Sequence, residues 1–230
     1  MAESHNRFVL MVGGSPEGVS PELLWELSEG MSFVVAVDSG GNWCSAAGVI
    51  PDLLVGDMDS IDPAVRQQFA EQDVEQVVYP VEKDKTDIEL AVGLVIERGY
   101  SDLVATNVLG GRIDHEMATL GILMTAGISD LAITVVEDDQ TLVFLNNPGI
   151  RQQLRLSFAD NMSPENAPLM SLIPWGRPAT VSLSGFQWDL DHAELDPAKS
   201  LGVSNYPIDI EPLIELHDGA LIVVVLTPGV

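Results

Sequence analysis

The sequence predicts an α/β domain, a mostly parallel sheet flanked by helices, followed by a C-terminal all-β sandwich. Three observations point there. From residue 8 to about 137, short β-branched or aliphatic runs alternate with helical stretches, the rhythm of βαβ units. Helix-start signals stand between those runs. After Asn146-Asn147-Pro148-Gly149 the helical pattern gives way to short strand-like runs and turn residues. We therefore expect one domain over residues 1–148 and a second over 149–230.

In the first domain, strands are expected at Phe8-Val12, Phe33-Val37, Leu53-Val55, Gln76-Tyr79, Leu103-Val108 and Ala132-Val136. Ser20-Pro21 and Asp62-Pro63 each place a capping side chain before a first-turn proline, and Thr86-x-x-Glu89 reads as a capping box. In the second, Leu154-Phe158, Met170-Ile173, Thr180-Leu183, Leu213-Leu216 and Leu221-Leu226 read as strands, and the polar segment Asp160 to Pro168 as an exposed loop.

Composition narrows the function. A formal charge of −25 argues against binding nucleic acid or anionic membranes, which requires basic patches. Cys44 is the only cysteine, so no intrachain disulfide and no cysteine-built zinc site can form, which suits a reducing cytoplasm. Met1 to Arg7 has no apolar signal-peptide core, and Ala220 to Leu226 is too short to span a bilayer, so a soluble intracellular protein is expected.

Three acidic clusters follow strand-like runs: Gly56-Asp57-Met58-Asp59-Ser60, Lys83-Asp84-Lys85-Thr86-Asp87 and Gly110-Gly111-Arg112-Ile113-Asp114-His115. With 35 Asp and Glu in 230 residues, chance supplies roughly five acid-x-acid pairs. Position gives the Asp57/Asp59 pair its weight. Ligands of open parallel sheets bind beyond the carboxyl ends of the strands, where all three clusters fall, as does Asp38 in Val37-Asp38-Ser39-Gly40-Gly41. Only ten Lys and Arg occur in the chain, yet Lys83, Lys85 and Arg112 lie inside these motifs. Converging carboxylates beside scarce cations are suited to Mg²⁺ and a polyphosphate, with Arg112 a bidentate phosphate ligand and Lys83 a point charge.

Asp87 and Asp114 also have an ordinary role near positive helix ends, and His115 suits a structural hydrogen bond at least as well as proton transfer. No Walker A pattern occurs, and Gly13-Gly14-Ser15-Pro16 is a glycine turn after the first strand. A phosphatase with an aspartyl nucleophile and a sugar-nucleotide transferase with an Asp-x-Asp metal site both account for Asp57-x-Asp59. Neither accounts for the other two clusters.

Taken in order, the motifs resemble the thiamine pyrophosphokinase family. They are Gly13-Gly14, Asp38-Ser39-Gly40, Pro51 to Ser60 (P-D-x-x-x-G-D-x-D-S), Lys83 to Ala91 (K-D-x-T-D-x-E-x-A) and Gly110 to His115 (G-G-R-x-D-H). Leu172-Ile173-Pro174, Gly185 to Leu190 and Ser204-Asn205 continue the series. Ser39 departs from the family's usual glycine.

The resemblance implies transfer of a pyrophosphoryl group from ATP to the thiamine hydroxyl, in a Mg²⁺-dependent homodimer whose active sites are shared between subunits. It implies that Asp57, Asp59 and Asp87 hold Mg²⁺, with Asp38 and Asp84 nearby. Lys83, Thr86, Arg112 and Ser60 are then expected on the ATP side, and Trp188, Ser204 and Asn205 on thiamine. Asp114 and Asp84 are the two candidates for accepting the hydroxyl proton. Another Mg²⁺-dependent phosphotransferase or phosphatase, and a non-catalytic thiamine or nucleotide sensor, are the alternatives.

Overall fold

The computed structural model describes residues 8–82, 84–129, 131–148, 152–158 and 166–227. Lys83, Met1 to Arg7 and most of the expected loop from Asp160 lie outside the described residues. The chain divides into two compact units, residues 1–123 with 135–138, and residues 124–134 with 139–230. The division falls within α5 (Ile113–Ser129) and β6 (Ala132–Val136), earlier in the chain than the boundary expected at 148.

The first unit alternates strands and helices: β1 (Phe8–Val12), α1 (Pro21–Glu29), β2 (Phe33–Val37), α2 (Gly40–Ala46), β3 (Leu53–Gly56), α3 (Pro63–Glu71), β4 (Glu75–Val78), α4 (Asp87–Glu97) and β5 (Asp102–Thr106). These strands form a parallel sheet in the order β5-β1-β2-β3-β4. Reversal of direction at β1 creates a topological switch point, where such sheets bind ligands. Val9 through Val12 are all fully buried, because helices cover both faces of a parallel sheet and every side chain needs an apolar neighbour. One face packs Leu10, Val12, Ala36 and Leu54 with Leu24, Cys44 and Phe69.

The expected caps form. Ser20 accepts from Leu23 N–H, Asp62 from Ala64 N–H and Thr86 from Glu89 N–H. Each satisfies a donor that its helix cannot. Glu89 itself turns to Lys85, 3.3 Å away.

The second unit is a sandwich organised around one long strand, β12 (Leu213–Leu226). Leu213 to Asp218 pairs with β8 (Gln153–Arg155) and β10 (Ala179–Ser184), while Gly219 to Leu226 pairs with β7 (Gln140–Asn147) and β9 (Leu169–Pro174). β11 (Leu190–Leu195) adds to the edge of β10. Between the layers lie Val143, Leu145, Leu172, Val181, Phe186, Ile214 and Val223.

Two strands expected around residues 213–226 are therefore one. The interruption at Asp218-Gly219 reads as a turn in sequence, but Gly219 takes φ +104°, and a Cβ there would stand 2.8 Å from the Ala179 backbone. The strand bends without ending, which only glycine permits. β7 and β11 are additional strands. Polar Gln140-Thr141 hides the start of the first, and charged Asp191, His192 and Glu194 lower the β propensity of the second, an edge strand.

Among the described residues, no helix is long and apolar enough to cross a membrane.

Candidate active site

At the carboxyl ends of the parallel strands, the first unit opens a cavity of about 710 Å³. Its walls include Gly14 and Ser15 after β1, Asp38 after β2, Asp57, Asp59 and Ser60 after β3, Thr86 and Asp87 opening α4, and Arg112 and Asp114 at the start of α5. That size suits a nucleotide-like ligand. The backbone is strained at its rim: Asp38, Met58 and Asn107 have φ of +48°, +66° and +55°. Non-glycine residues adopt this region at a cost, and it concentrates where geometry serves a ligand.

Asp38, Asp57 and Asp59 bring carboxylate oxygens within 4.8 Å of one another. The adjacency of β2 and β3 causes this, because their loops leave the sheet side by side. Asp59 N–H donates to Asp57 Oδ1 at 3.2 Å, and the Ser60 hydroxyl to Asp59 Oδ1 at 2.7 Å. Asn42 braces the turn, donating to the Ser60 carbonyl at 3.3 Å and accepting from Asp62 N–H at 2.9 Å. Burial pushes the Asp38 carboxyl above its ordinary value, hydrogen bonds from Ser60 pull it down, and the Asp59 and Asp57 charges push it up. Its buried Oδ1 has no hydrogen-bond partner among the described residues.

Three gathered carboxylates with an unsatisfied buried oxygen form an all-oxygen donor set, which fits a hard divalent cation such as Mg²⁺. Asp87 lines the same cavity outside this group of three. Asp84 is exposed and does not line the cavity.

Also lining the cavity, Arg112 forms a two-point ion pair with Asp114, Nε to Oδ1 at 3.1 Å and Nη2 to Oδ2 at 2.6 Å. Asp114 also accepts from His115 N–H at 3.1 Å. The guanidinium holds the Asp114 carboxyl below its ordinary value, and Asp114 raises Arg112 in return. Gly111 beside them has φ +94°, and a Cβ there would lie 2.9 Å from Pro16 Cγ, so this loop can lie against the β1 loop only with glycine.

Several residues of this site carry no sequence signal. Asn107 is fully buried, and its Oδ1 accepts from Val19 N–H. Glu137, also buried, accepts from the backbone N–H groups of Asn107, Val108 and Leu109. The Trp43 indole donates to the Ser15 carbonyl at 3.0 Å. Each partner is remote in sequence, so no local motif reveals it.

In the second unit, Trp188 and Asn205 come together. Asn205 Nδ2 donates to the Trp188 carbonyl at 2.9 Å, and its Oδ1 accepts from the N–H groups of Trp188 and Tyr206 at 3.3 and 2.9 Å. Asn205 is 4% exposed and braces this turn, whereas Trp188, edge-on to Tyr206, is 57% exposed. Ser204, at φ +62°, donates its N–H to Ser171 Oγ at 3.1 Å.

Comparisons with known proteins match both halves of the chain. Residues 24–135 match the family model described as the catalytic domain of thiamin pyrophosphokinase, and residues 161–221 the one described as its vitamin B1 binding domain. Thiamine pyrophosphokinase of Bacillus subtilis is 26% identical over 215 residues, which cover 93% of this chain and 96% of that protein. Thiamine pyrophosphokinase 1 of Arabidopsis thaliana is 30% identical over 67% of this chain, and the match spans 58% of the plant protein's length. In structure, the B. subtilis thiamine pyrophosphokinase superposes with a TM-score of 0.81 at 21% identity, covering 96% of this chain and 99% of that one. The Candida albicans thiamin pyrophosphokinase does so with a TM-score of 0.77 at 15% identity, covering 96% and 90%.

Proposed function

The chain belongs to the thiamin pyrophosphokinase family, and from that premise we propose that it transfers a diphosphate group from ATP to the hydroxyl of thiamine. The thiamine hydroxyl oxygen bonds to the β-phosphorus of ATP, the bond from that phosphorus to the oxygen bridging it to the α-phosphorus breaks, and AMP leaves with that oxygen. The observation that carries this reading is the convergence of Asp38, Asp57 and Asp59 in one cavity that Arg112 also lines. Phosphoryl-type transfer rests mostly on positioning and charge neutralisation, and both are built here.

Asp57 and Asp59 with Asp38, and Asp87 on the same cavity, are the residues that would hold Mg²⁺, which when bound would neutralise the polyphosphate. Arg112, Thr86 and Ser60, with Lys83, are assigned to the ATP phosphates; the guanidinium fork suits two oxygens at once. Of the two candidates for the hydroxyl proton, Asp114 lines the cavity and Asp84 does not. We assign the acceptor role to Asp114.

Thiamine is cationic and aromatic, so an exposed indole face attracts it, and Trp188 is assigned to it with Ser204 beside it. We read the active enzyme as a homodimer with shared sites. Support comes from the exposed apolar side chains Leu201, Val203 and Ile208 near Trp188 in the sequence of the second unit. A cytoplasmic setting suits Cys44, a lone buried thiol pushed up to about 12 by desolvation.

Incubation with Mg²⁺, ATP and thiamine tests the proposal. AMP and thiamine diphosphate in equal amounts are expected. Inorganic phosphate as the product points to a phosphatase, binding without product points to a sensor, and either result rejects this reading.

A further inference from the structure

Glu137 lies directly after β6, outside every sequence motif of the site. Its Oε2 accepts from Asn107 N–H at 3.1 Å, and its Oε1 from Val108 and Leu109 N–H at 3.0 and 3.2 Å. Three consecutive N–H groups around one carboxylate form a nest, the backbone arrangement that also binds phosphate. Here the protein's own anion takes those donors. A polyphosphate in the cavity must therefore find its contacts further along the loop, at Gly110, Gly111 and Arg112.

The clamped residues also fix the neighbouring loop. The Asn107 carbonyl accepts from Ser15 N–H at 2.9 Å, its side-chain oxygen accepts from Val19 N–H, and the Ser15 hydroxyl donates to the Gly110 carbonyl at 3.3 Å. The β1 and β5 loops are thus both tied to Asn107, and Asn107 through its N–H to Glu137. Glu137 is 8% exposed, so water does not readily substitute for its oxygens.

We propose that Glu137 is a positioning residue for nucleotide binding: it holds the Asn107–Leu109 backbone so that Arg112 and the two glycines before it face the polyphosphate. The inference rests on the assignment of ATP to this cavity. Glutamine has the same shape but only one acceptor oxygen, so Glu137→Gln turns an amide NH₂ toward at least one backbone N–H. The site relaxes away from that donor–donor contact, and the loop moves with it.

The experiment measures binding of a non-hydrolysable Mg-ATP analogue and of thiamine, separately, to the wild type and to E137Q, together with their melting temperatures. We expect analogue affinity to fall about tenfold, with thiamine affinity within about twofold of the wild type. A lower melting temperature with unchanged analogue affinity overturns the proposal, because it leaves Glu137 a purely structural role. Equal loss of affinity for both ligands overturns it too. Failure of the wild type to bind the analogue rejects the ATP assignment instead, so the two failures are distinguishable. Should E137Q not accumulate folded, hydrogen exchange of the nucleotide-free wild type decides: slow exchange at Asn107, Val108 and Leu109 is expected, and exchange at unprotected rates overturns the proposal.

Discussion

Asp38→Asn gives a test in which stability and metal binding move in opposite directions. Asp38, Asp57 and Asp59 hold carboxylate oxygens within 4.8 Å of one another. Two unit charges at that separation repel by about 3.5 kcal/mol at an effective dielectric of 20 and about 0.9 kcal/mol in bulk water. Asp38 is partly buried and Asp59 exposed, so screening places the summed repulsion that Asp38 feels near the lower end, about 2 kcal/mol. Asparagine tolerates the left-handed backbone at this position, φ +48°. Its NH₂ group also donates hydrogens toward the two remaining carboxylates.

In chelator, D38N should therefore melt about 4–8 °C above the wild type, since 1 kcal/mol corresponds to about 2–4 °C for a chain of this size. Saturating Mg²⁺ at about one hundred times its dissociation constant adds about 2.7 kcal/mol to a protein that binds it, a rise of about 5–10 °C. The wild type should show that rise and D38N little or none. Thermal melts in EDTA and in MgCl₂, matched in ionic strength, measure both effects. A D38N protein that melts below the wild type in EDTA, or that keeps the full Mg²⁺ shift, refutes the reasoning.

Other outcomes follow from the same geometry. Burial first, then the adjacent acids, raise the Asp38 carboxyl in the fold, so its ionisation opposes folding at neutral pH, and the penalty is relieved as pH falls through the raised value toward 3.8. The stability gap between D38N and the wild type in EDTA should therefore shrink on acidification; a gap constant down to about pH 4 contradicts this. Arg112→Lys loses the two-point fork and should raise the KM for ATP about tenfold while leaving that for thiamine unchanged, as read from steady-state kinetics. Trp188→Ala should do the reverse, raising the KM for thiamine about 3- to 30-fold with little effect on ATP.

The sheet was legible because β-branched runs and capped helices carry local signals, and Phe8 to Val12 and Phe33 to Val37 fall where those signals place them. Strand order carries no such signal. The resemblance implies Asp87 as the companion of Asp57 and Asp59, with Asp38 nearby; Asp87 lines the same cavity, and pairing of β2 with β3 sets Asp38 directly beside the other two. Neighbouring strands, not neighbouring motifs, decide which loops meet. Glu137 carries no sequence signal for the same reason, since its partners lie about thirty residues earlier. Ser204 and Asn205 are indistinguishable in sequence, and only the hydrogen bonds separate a brace from an exposed neighbour.

With ATP on Arg112 and Asp114 as the proton acceptor, as proposed, the Arg112–Asp114 pair links docking of the nucleotide to the proton transfer. Both side chains are mostly exposed, so their attraction is screened and opening the pair costs little. A polyphosphate presents more charge than one carboxylate and can draw the guanidinium away. Once it does, the influence that holds the Asp114 carboxyl low is removed, and the carboxylate gains basicity at the moment a proton must be taken up. Asp114→Asn should then have two opposed effects. Arg112 is no longer held, so the KM for ATP should stay level or fall by up to about fivefold. Turnover, without the acceptor, should drop by about a hundredfold or more. Single-turnover kinetics with a separate measurement of ATP binding resolve the two. If D114N binds ATP more weakly than the wild type, the pair orients Arg112 for phosphate rather than competing with it, and Asp114 belongs to the binding site instead of the proton path.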